Sequence, residues 1–296
     1  MVVGIVLIVL ALLTAAMPRP APAEEADLVA RGRYVFALAG GCGCHTAEGG
    51  QVNAGGRPLK TPYGTFYGTN ITPDPTHGIG KWTDRQIIDS IRLGVRPDGS
   101  VLSPVMPYPA FSGMSDEDVT ALVAYLRTVP AVAWANQPHD LSLPFTGLAM
   151  RVWRWLFFDP GTAPARTPTE GVERGHYISE HVAHCQECHT PRTRFGTLDR
   201  SLYLAGNQAG IDGEVTPNIT PDTKTGIGDW EEDEIVSLLQ TGFRPNFDNV
   251  QGLMALVIEG VPAGGYKDMS AEDVSAVARY LKSVPPIVHR VEKEKD

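Results

Sequence analysis

The chain contains the same long sequence pattern twice. The block NITPDPTHGIGKW at 70–82 recurs as NITPDTKTGIGDW at 218–230, 148 residues later. The block MSDEDVTALVAYLRTVP at 114–130 recurs as MSAEDVSAVARYLKSVP at 269–285, 155 residues later, so the second copy holds seven additional residues before this block. A long repeat present twice predicts two similar tandem domains, because a solenoid needs shorter and more numerous units.

Each copy has the pattern of short helices joined by long loops. In the first copy, Ser115 and Asp118 form a capping-box pattern ahead of apolar residues at helical spacing, and Pro130 ends that helix. Ser270 and Asp273 repeat the design in the second copy. Strand signals are weak, so the pattern predicts an all-α fold. Three or four short helices supply too little apolar core, so we expect a large apolar ligand to fill the centre of each domain.

Charge and the N-terminal segment limit the class of protein. A net charge of −9 argues against nucleic-acid binding, which needs a basic surface. An uncharged apolar run of 15 residues from Val2 to Ala16, followed by Ala21-Pro22-Ala23, matches a signal peptide with its cleavage site. No Lys or Arg precedes the run, so retention as a membrane anchor stays open. We expect export of the chain, with 1–24 as signal peptide or anchor.

The strongest chemical motif is HCQECH in the second copy. Cys185, Cys188 and His189 form an intact C-x-x-C-H. Helical positions three apart lie about 60° from one another, so both thiols face one edge of a porphyrin and can form thioethers while His189 reaches the iron. A thioredoxin-type pair would need a βαβ context, and a zinc site would need more Cys or His partners. The motif therefore predicts a covalently bound haem c.

The first copy carries a shortened form of this motif. GGCGCH contains Cys42, Cys44 and His45, with one residue fewer between the cysteines. The block RGRY at 31–34 aligns with RGHY at 174–177, which locates a one-residue deletion between the two cysteines of the first copy.

This deletion limits how haem can be attached in the first copy. Helical positions two apart lie about 200° from one another, so regular helix cannot give two thioethers. The glycine-rich stretch 40–43 could let the backbone adjust. We expect a second haem c here, attached through Cys44 beside His45, with the bond to Cys42 left open. The alternative is a disulfide between Cys42 and Cys44 without haem.

Each site also has a methionine suited to be the sixth iron ligand. Met106 and Met254 keep the 148-residue offset and lie in predicted loops between the second and last helices. Met with His is a common ligand pair of electron-transfer haem and raises its potential. Met114 and Met269 are the alternative pair, although each directly precedes a helix cap, where packing is the more natural role. The predicted iron ligands are His45 and Met106 in the first site and His189 and Met254 in the second.

Other polar residues are candidates for contacts with haem propionates. His181 and His184 lie beside the second motif, and we expect them to be exposed or to face propionates rather than to bind iron. Asn70 and Asn218 recur in the repeat and either contact propionates or build turns.

Together these motifs resemble those of dihaem class I c-type cytochromes, the electron-transfer subunits of periplasmic, membrane-associated dehydrogenases for alcohols and aldehydes. The resemblance rests on ERGHYISEHVAHCQECHTPR, NITPD with GIG, MPYPAFSGMSDEDVTALVAYL and WLFFDPG. It implies two covalently bound haem c groups with His/Met iron, and no substrate turnover on this chain. It also implies a dehydrogenase catalytic subunit as partner, a downstream electron acceptor and a periplasmic location. The rival is a dihaem enzyme, a peroxidase or a thiosulfate-oxidising cytochrome, which needs an open or special iron position.

The predicted order along the chain is a signal peptide or anchor (1–24), cytochrome c domain 1 (25–135), a linker (136–168), cytochrome c domain 2 (169–290) and a charged tail (291–296). Within the linker, 143–161 is rich in Trp and Phe and has no counterpart after the second copy. We favour a strap packed across both domains. The alternative is an exposed apolar patch for a partner subunit or a membrane surface.

Overall fold

The computed structural model describes residues 22–41, 43–141, 147–260 and 264–291. Most of the predicted signal or anchor segment (1–24) therefore lies outside the described residues, as do Cys42 and most of the charged tail. Within the described ranges, no helix combines the length and apolar character needed to cross a membrane.

Helices are the main elements of the structure. They are α1 (Pro22–Leu38), α2 (Asp84–Leu93), α3 (Tyr108–Phe111), α4 (Asp116–Thr128), α5 (Gly147–Phe157), α6 (Gly171–Tyr177), α7 (Cys185–His189), α8 (Glu232–Thr241), α9 (Gly252–Glu259) and α10 (Ala271–Ser283). The strands are β1 (Pro58–Thr61), β2 (Gly64–Tyr67) and β3 (Asp140–Leu141). Short 3₁₀ turns lie at Gly43–His45, Arg200–Leu202, Ile211–Gly213 and Tyr266–Asp268, and a π-helical turn lies at Ile178–Val182.

The first and last helices of each half cross at a glycine. In the first half (22–135) α1 packs against α4, and in the second half (169–291) α6 packs against α10. A Cβ atom on Gly32 would lie 1.8 Å from the carbonyl oxygen of Ala121, and one on Gly175 would lie 1.9 Å from that of Ala276. Any side chain here would overlap the opposing backbone, so glycine is required for this crossing distance.

The arginine before each of these glycines ties the crossing to the N-terminus of the last helix. Arg31 Nε donates to Asp118 at 2.8 Å, and Arg174 donates to both carboxylate oxygens of Asp273 at 2.7 and 2.6 Å. Both aspartates are buried, and in the second half the arginine is largely buried as well, so the Arg174–Asp273 bonds are the better shielded from water. The repeated RGxY block is therefore the helix-crossing motif of each half.

The predicted helix caps form, but in a modified way. The hydroxyls of Ser115 and Ser270 accept from the N–H groups of Asp118 and Asp273 at 3.1 and 3.2 Å, which caps α4 and α10. In a full capping box each serine N–H would pair with a carboxylate. Here the carboxylates accept from the arginines, and the serine N–H groups donate to tyrosine hydroxyls instead.

These tyrosines join the two halves by a reciprocal exchange. The tyrosine of each RGxY block reaches the cap of the last helix in the other half, where it donates to the aspartate and accepts from the serine N–H. The bonds are Tyr34–Asp273 (2.7 Å), Ser270–Tyr34 (2.9 Å), Tyr177–Asp118 (2.7 Å) and Ser115–Tyr177 (3.0 Å). The same contact is thus made twice, once in each direction across the interface.

A small antiparallel sheet departs from the all-α prediction. β1 pairs with β2 in a hairpin, and β3 adds to the other edge of β2. Leu59 and Phe66 are paired across the hairpin and both are buried. The strands have four, four and two residues, which is too short for a period-two pattern to emerge in the sequence.

Helix α5, in the predicted linker, contacts both halves. Arg154 Nε donates to the carbonyl of Leu93 in the first half, and Trp153 Nε1 donates to that of Phe195 in the second. This arrangement agrees with the strap interpretation. The outer face of α5 nevertheless stays in solvent, with Trp155 82% exposed and Leu148 72% exposed.

Substituting Gly32 or Gly175 by alanine should destabilise the protein strongly. The added Cβ would force α1 from α4, or α6 from α10, and overpacking of this kind costs about 3 kcal/mol of unfolding free energy. The control is Gly147→Ala, where a Cβ meets no atom within 4 Å. Thermal unfolding of the haem-loaded variants measures the effect, and a Gly32→Ala protein as stable as Gly147→Ala would contradict the crossing.

Substituting Tyr177 by phenylalanine should weaken the interface between the halves. The change leaves Oδ2 of the buried Asp118 carboxylate and the Ser115 N–H without their tyrosine partner, while Arg31 still binds Oδ1, at a cost of about 2 kcal/mol. Tyr34→Phe should cost less, because its bonds are only partly buried. Denaturant unfolding compares the two, and a Tyr177→Phe loss no larger than that of Tyr34→Phe would refute this ranking.

Candidate haem-binding sites

The second site is built on helix α7, which contains the whole C-x-x-C-H motif. His189 Nδ1 lies 2.8 Å from the carbonyl oxygen of Pro217. Because a carbonyl can only accept, Nδ1 carries the proton and Nε2 keeps its lone pair. Burial also lowers the pKa of His189, which keeps the ring neutral. A neutral imidazole with a fixed tautomer is what an iron ligand requires.

The first site holds His45 in the same way on a different turn. His45 Nδ1 lies 2.7 Å from the carbonyl oxygen of Thr69, and burial lowers the pKa of this ring too. Gly43–His45 forms a 3₁₀ turn where the second site has an α-helix. Gly40 and Gly41 adopt φ of 77° and 60°, so glycine does relax the backbone just before the shortened motif. The predictions on Cys42 fall outside the described residues.

A second backbone contact fixes each histidine, and the sequence analysis missed it. Gly55 N–H donates to the carbonyl of His45 at 2.7 Å, and Gly206 N–H donates to that of His189 at 2.8 Å. These two glycines have φ of 83° and 91°, a region that favours glycine. Both follow alanine, at 54–55 and 205–206, so a longer alignment of the two copies would have found them.

The loop that supplies the histidine partner also touches the second cysteine. A Cβ on Gly68 would lie 1.9 Å from the carbonyl oxygen of Cys44, so this glycine allows close backbone packing. At the equivalent position in the second half, the Thr216 hydroxyl donates to the carbonyl of Cys188 at 2.6 Å. Each Cys-His pair is therefore held from the same side by the segment that precedes NITPD.

The thiols lack the character of redox-active or zinc-binding cysteines. Burial, followed by neighbouring charges, raises the pKa of Cys185 and of Cys188 to about 12. Redox-active and zinc-bound cysteines are thiolates with lowered pKa. Among the described residues, no three His, Cys, Asp or Glu side chains gather into a metal site. The surroundings fit thiols that become thioethers.

The two sites lie next to each other across the interface. After burial, the neighbouring Cys44 is the next cause that raises the pKa of Cys188. Solvent reaches Cys44, yet desolvation by the surrounding protein raises its pKa. The N–H of Lys60 in β1 donates to Asp212 of the second half at 2.9 Å, beside this contact. Strand β1 of the first half and the turn at Ile211–Gly213 of the second half are thus in contact close to Cys44.

The four methionines considered as iron ligands differ in burial. Met114 and Met269 are buried at 0% and 5% exposure in the apolar core, where they pack. Met106 and Met254 are only partly buried, at the edge of that core. Met106 lies in a loop before α3, as predicted, but the prediction of a loop at Met254 is wrong: Met254 lies in α9. The seven additional residues of the second copy provide the length for this helix.

The remaining polar candidates have structural partners. His181 Nδ1 lies 3.1 Å from the Ala110 carbonyl of the other half, and His184 packs its ring on Phe111. Both rings therefore contact the first half. The Nδ2 groups of Asn70 and Asn218 donate to carbonyls of the chain beyond the last helix of each half, at Val132, Trp134, Ile287 and His289. The Oδ1 atoms of the same asparagines accept from the N–H groups of Thr72 and Thr220, two residues on, so both asparagines build turns, as one of the two interpretations predicted.

Comparison with known proteins gives consistent similarities. The family model for cytochrome c matches residues 29–130. The chain is 41% identical to the cytochrome c subunit of alcohol dehydrogenase (quinone) from Gluconobacter oxydans, over 90% of this chain and 57% of that protein. It is 40% identical to the gluconate 2-dehydrogenase cytochrome c subunit of Pantoea cypripedii, over 87% of this chain and 59% of that protein. It is 38% identical to a diheme cytochrome c-type protein of Cereibacter sphaeroides, over 87% of this chain and 86% of that protein.

The length of the match differs among these relatives. The chain spans less than three fifths of the alcohol and gluconate dehydrogenase subunits, but most of the diheme cytochrome. The similarity covers both copies of the repeat, because 87% or more of this chain is aligned in each case.

His181 should make stability fall on acidification. Burial lowers the pKa of this ring despite its bond to Ala110, so the unfolded chain takes up the proton first as the pH falls below about 6.5. Between about pH 7.5 and about pH 5.5, the wild type should lose more unfolding free energy than His181→Asn, which keeps a donor but does not titrate. Denaturant unfolding at both pH values measures this, and equal losses would exclude the effect.

Proposed function

The chain belongs to the cytochrome c family, and we propose that it is a dihaem electron-transfer cytochrome with one covalent haem c in each half. The proposed cytochrome c domains are 25–135 and 169–290, joined by 136–168. Each would use a large apolar cofactor to complete a core that its short helices leave small.

The main support for this proposal is that one histidine in each half has the same neighbours and the same hydrogen bonds. His45 and His189 each directly follow a cysteine, and each donates Nδ1–H to a carbonyl at equivalent positions of the repeat, 69 and 217. This contact leaves Nε2 for iron in both halves. A pair of structural histidines would not need the same tautomer, the same backbone clamp and an adjacent thiol in each copy.

Haem c, when bound, supplies an iron that gains and loses one electron. This chain's residues would attach it through Cys185 and Cys188 in the second half and Cys44 in the first, with His45, Met106, His189 and Met254 as iron ligands. The partial burial of Met106 and Met254 supports their assignment over the core residues Met114 and Met269. A histidine nitrogen and a methionine sulfur on each iron would leave no open coordination position, which favours electron transfer over peroxidase or thiosulfate chemistry.

The contact of β1 with Asp212 of the second half lies close to Cys44 and supports electron exchange between the two haems within one molecule. Two relatives are named as cytochrome c subunits of alcohol and gluconate dehydrogenases. By analogy, we propose that a dehydrogenase catalytic subunit delivers electrons to this chain and that a downstream component accepts them. The proposed location is the periplasm, with 1–24 as signal peptide or membrane anchor.

The intact mass of protein made in a haem-maturation-competent host should show two haems. The double variant Cys185→Ser/Cys188→Ser should lose one of them, because it removes both thioether sulfurs of the second site. Cys44→Ser should lose the other, since Cys44 keeps its position beside His45. Mass spectrometry under denaturing conditions counts only covalently attached haem.

The matched control is Ser201→Ala, an exposed position in the same half that should retain two haems. A wild-type mass with one haem would contradict the two-haem proposal. A Cys44→Ser protein that still carries two haems would contradict the role of Cys44.

A further inference from the structure

Helix α9 distinguishes the second half from the first. In the first half, the four-residue α3 begins two residues after Met106. In the second half, the seven additional residues allow an eight-residue helix that contains Met254. The second copy therefore has a longer helix at the position of its proposed iron ligand, Met254.

The N-terminus of α9 is capped from a distant loop. Its own N-cap residue, Gln251, makes no side-chain capping bond. Instead, both carboxylate oxygens of Glu214 lie 3.2 Å from the N–H of Leu253. A Cβ on Gly252 would lie 2.1 Å from Glu214 Oε1, so this glycine makes room for the carboxylate. Glu214 therefore binds the N-terminus of α9 at the residue directly before Met254.

Further along the helix, α9 packs against α8 and the Tyr266–Asp268 turn of its own half, and it also reaches the first half. A Cβ on Gly40 would lie 2.9 Å from Val257 Cγ1, which places α9 against the backbone just before the shortened haem motif. Leu253 and Leu256 line a groove of about 450 Å³ whose lining also includes Thr46 and Arg57 of the first half. Helix α9 thus packs against the first half close to the shortened haem motif.

We propose that Glu214 is a positioning residue for the sixth ligand of the second haem, and that the packing of Val257 on Gly40 is the second support of the same helix. This rests on Met254 as iron ligand in the proposed function. Glu214 fixes one end of the ligand-bearing turn, and the first half of the chain supports the other. The strength of the Met254–iron bond then depends on the Glu214 cap and on the contact of α9 with the first half.

Titration of the ferric protein with imidazole tests this, followed through the Met–iron absorption band. A nitrogen of imidazole bonds to iron as the methionine sulfur leaves, and no electron is transferred. Glu214→Ala should raise the imidazole affinity of one haem about tenfold, as expected for loss of a helix cap. Glu214→Gln should give a smaller increase, because the amide can still accept. Val257→Ala should also raise it, and these two variants test the proposal if Glu214→Ala does not fold.

Three controls separate the possible outcomes. Thr83→Ala removes the cap of α2 in the first half, so it should lower the melting temperature without changing imidazole affinity. Met254→Ala should remove half of the Met–iron band, and adding Glu214→Ala to it should change nothing further. If Met254→Ala leaves the band intact, the ligand assignment fails. If it halves the band while Glu214→Ala, Glu214→Gln and Val257→Ala keep wild-type imidazole affinity, the positioning role is overturned.

Discussion

The structure depends on the close crossing of the first and last helices in each half. Gly32 and Gly175 let the backbones meet, and no larger residue fits against the carbonyls of Ala121 and Ala276. The crossing brings the neighbouring arginine onto the aspartate in the first turn of the last helix. It also places the following tyrosine against the other half. The four-residue RGxY block therefore holds the helices of one half together and joins that half to the other.

The haem sites take their geometry from this frame. The segment after each crossing helix leads into the Cys-His pair, and the loop before NITPD returns to hold that pair from one side. His45 and His189 are fixed both by a ring bond to a carbonyl and by a backbone bond from a glycine. Two independent bonds at one residue leave the imidazole little freedom to turn. The protein alone therefore holds each histidine with Nε2 available to bind iron.

The sequence was sufficient for the features that follow from local pattern. The caps at Ser115 and Ser270, the helices they start and the location of the deletion before His45 all depend on neighbouring residues. The family resemblance followed from the same motifs. The sheet was not predicted because its strands are very short. The helix at Met254 was not predicted because the corresponding segment of the first copy is mainly loop. The exchange of Tyr34 and Tyr177 depends on how two halves meet, which no single-copy pattern contains.

We propose that both halves bind haem with one histidine and one methionine on each iron. Near-infrared magnetic circular dichroism of the fully oxidised protein tests it most directly, because the charge-transfer band of ferric low-spin haem reports the ligand pair. We expect His/Met signals from both haems, at an intensity equal to two per molecule. A single His/Met signal accompanied by a high-spin or bis-histidine haem would contradict it.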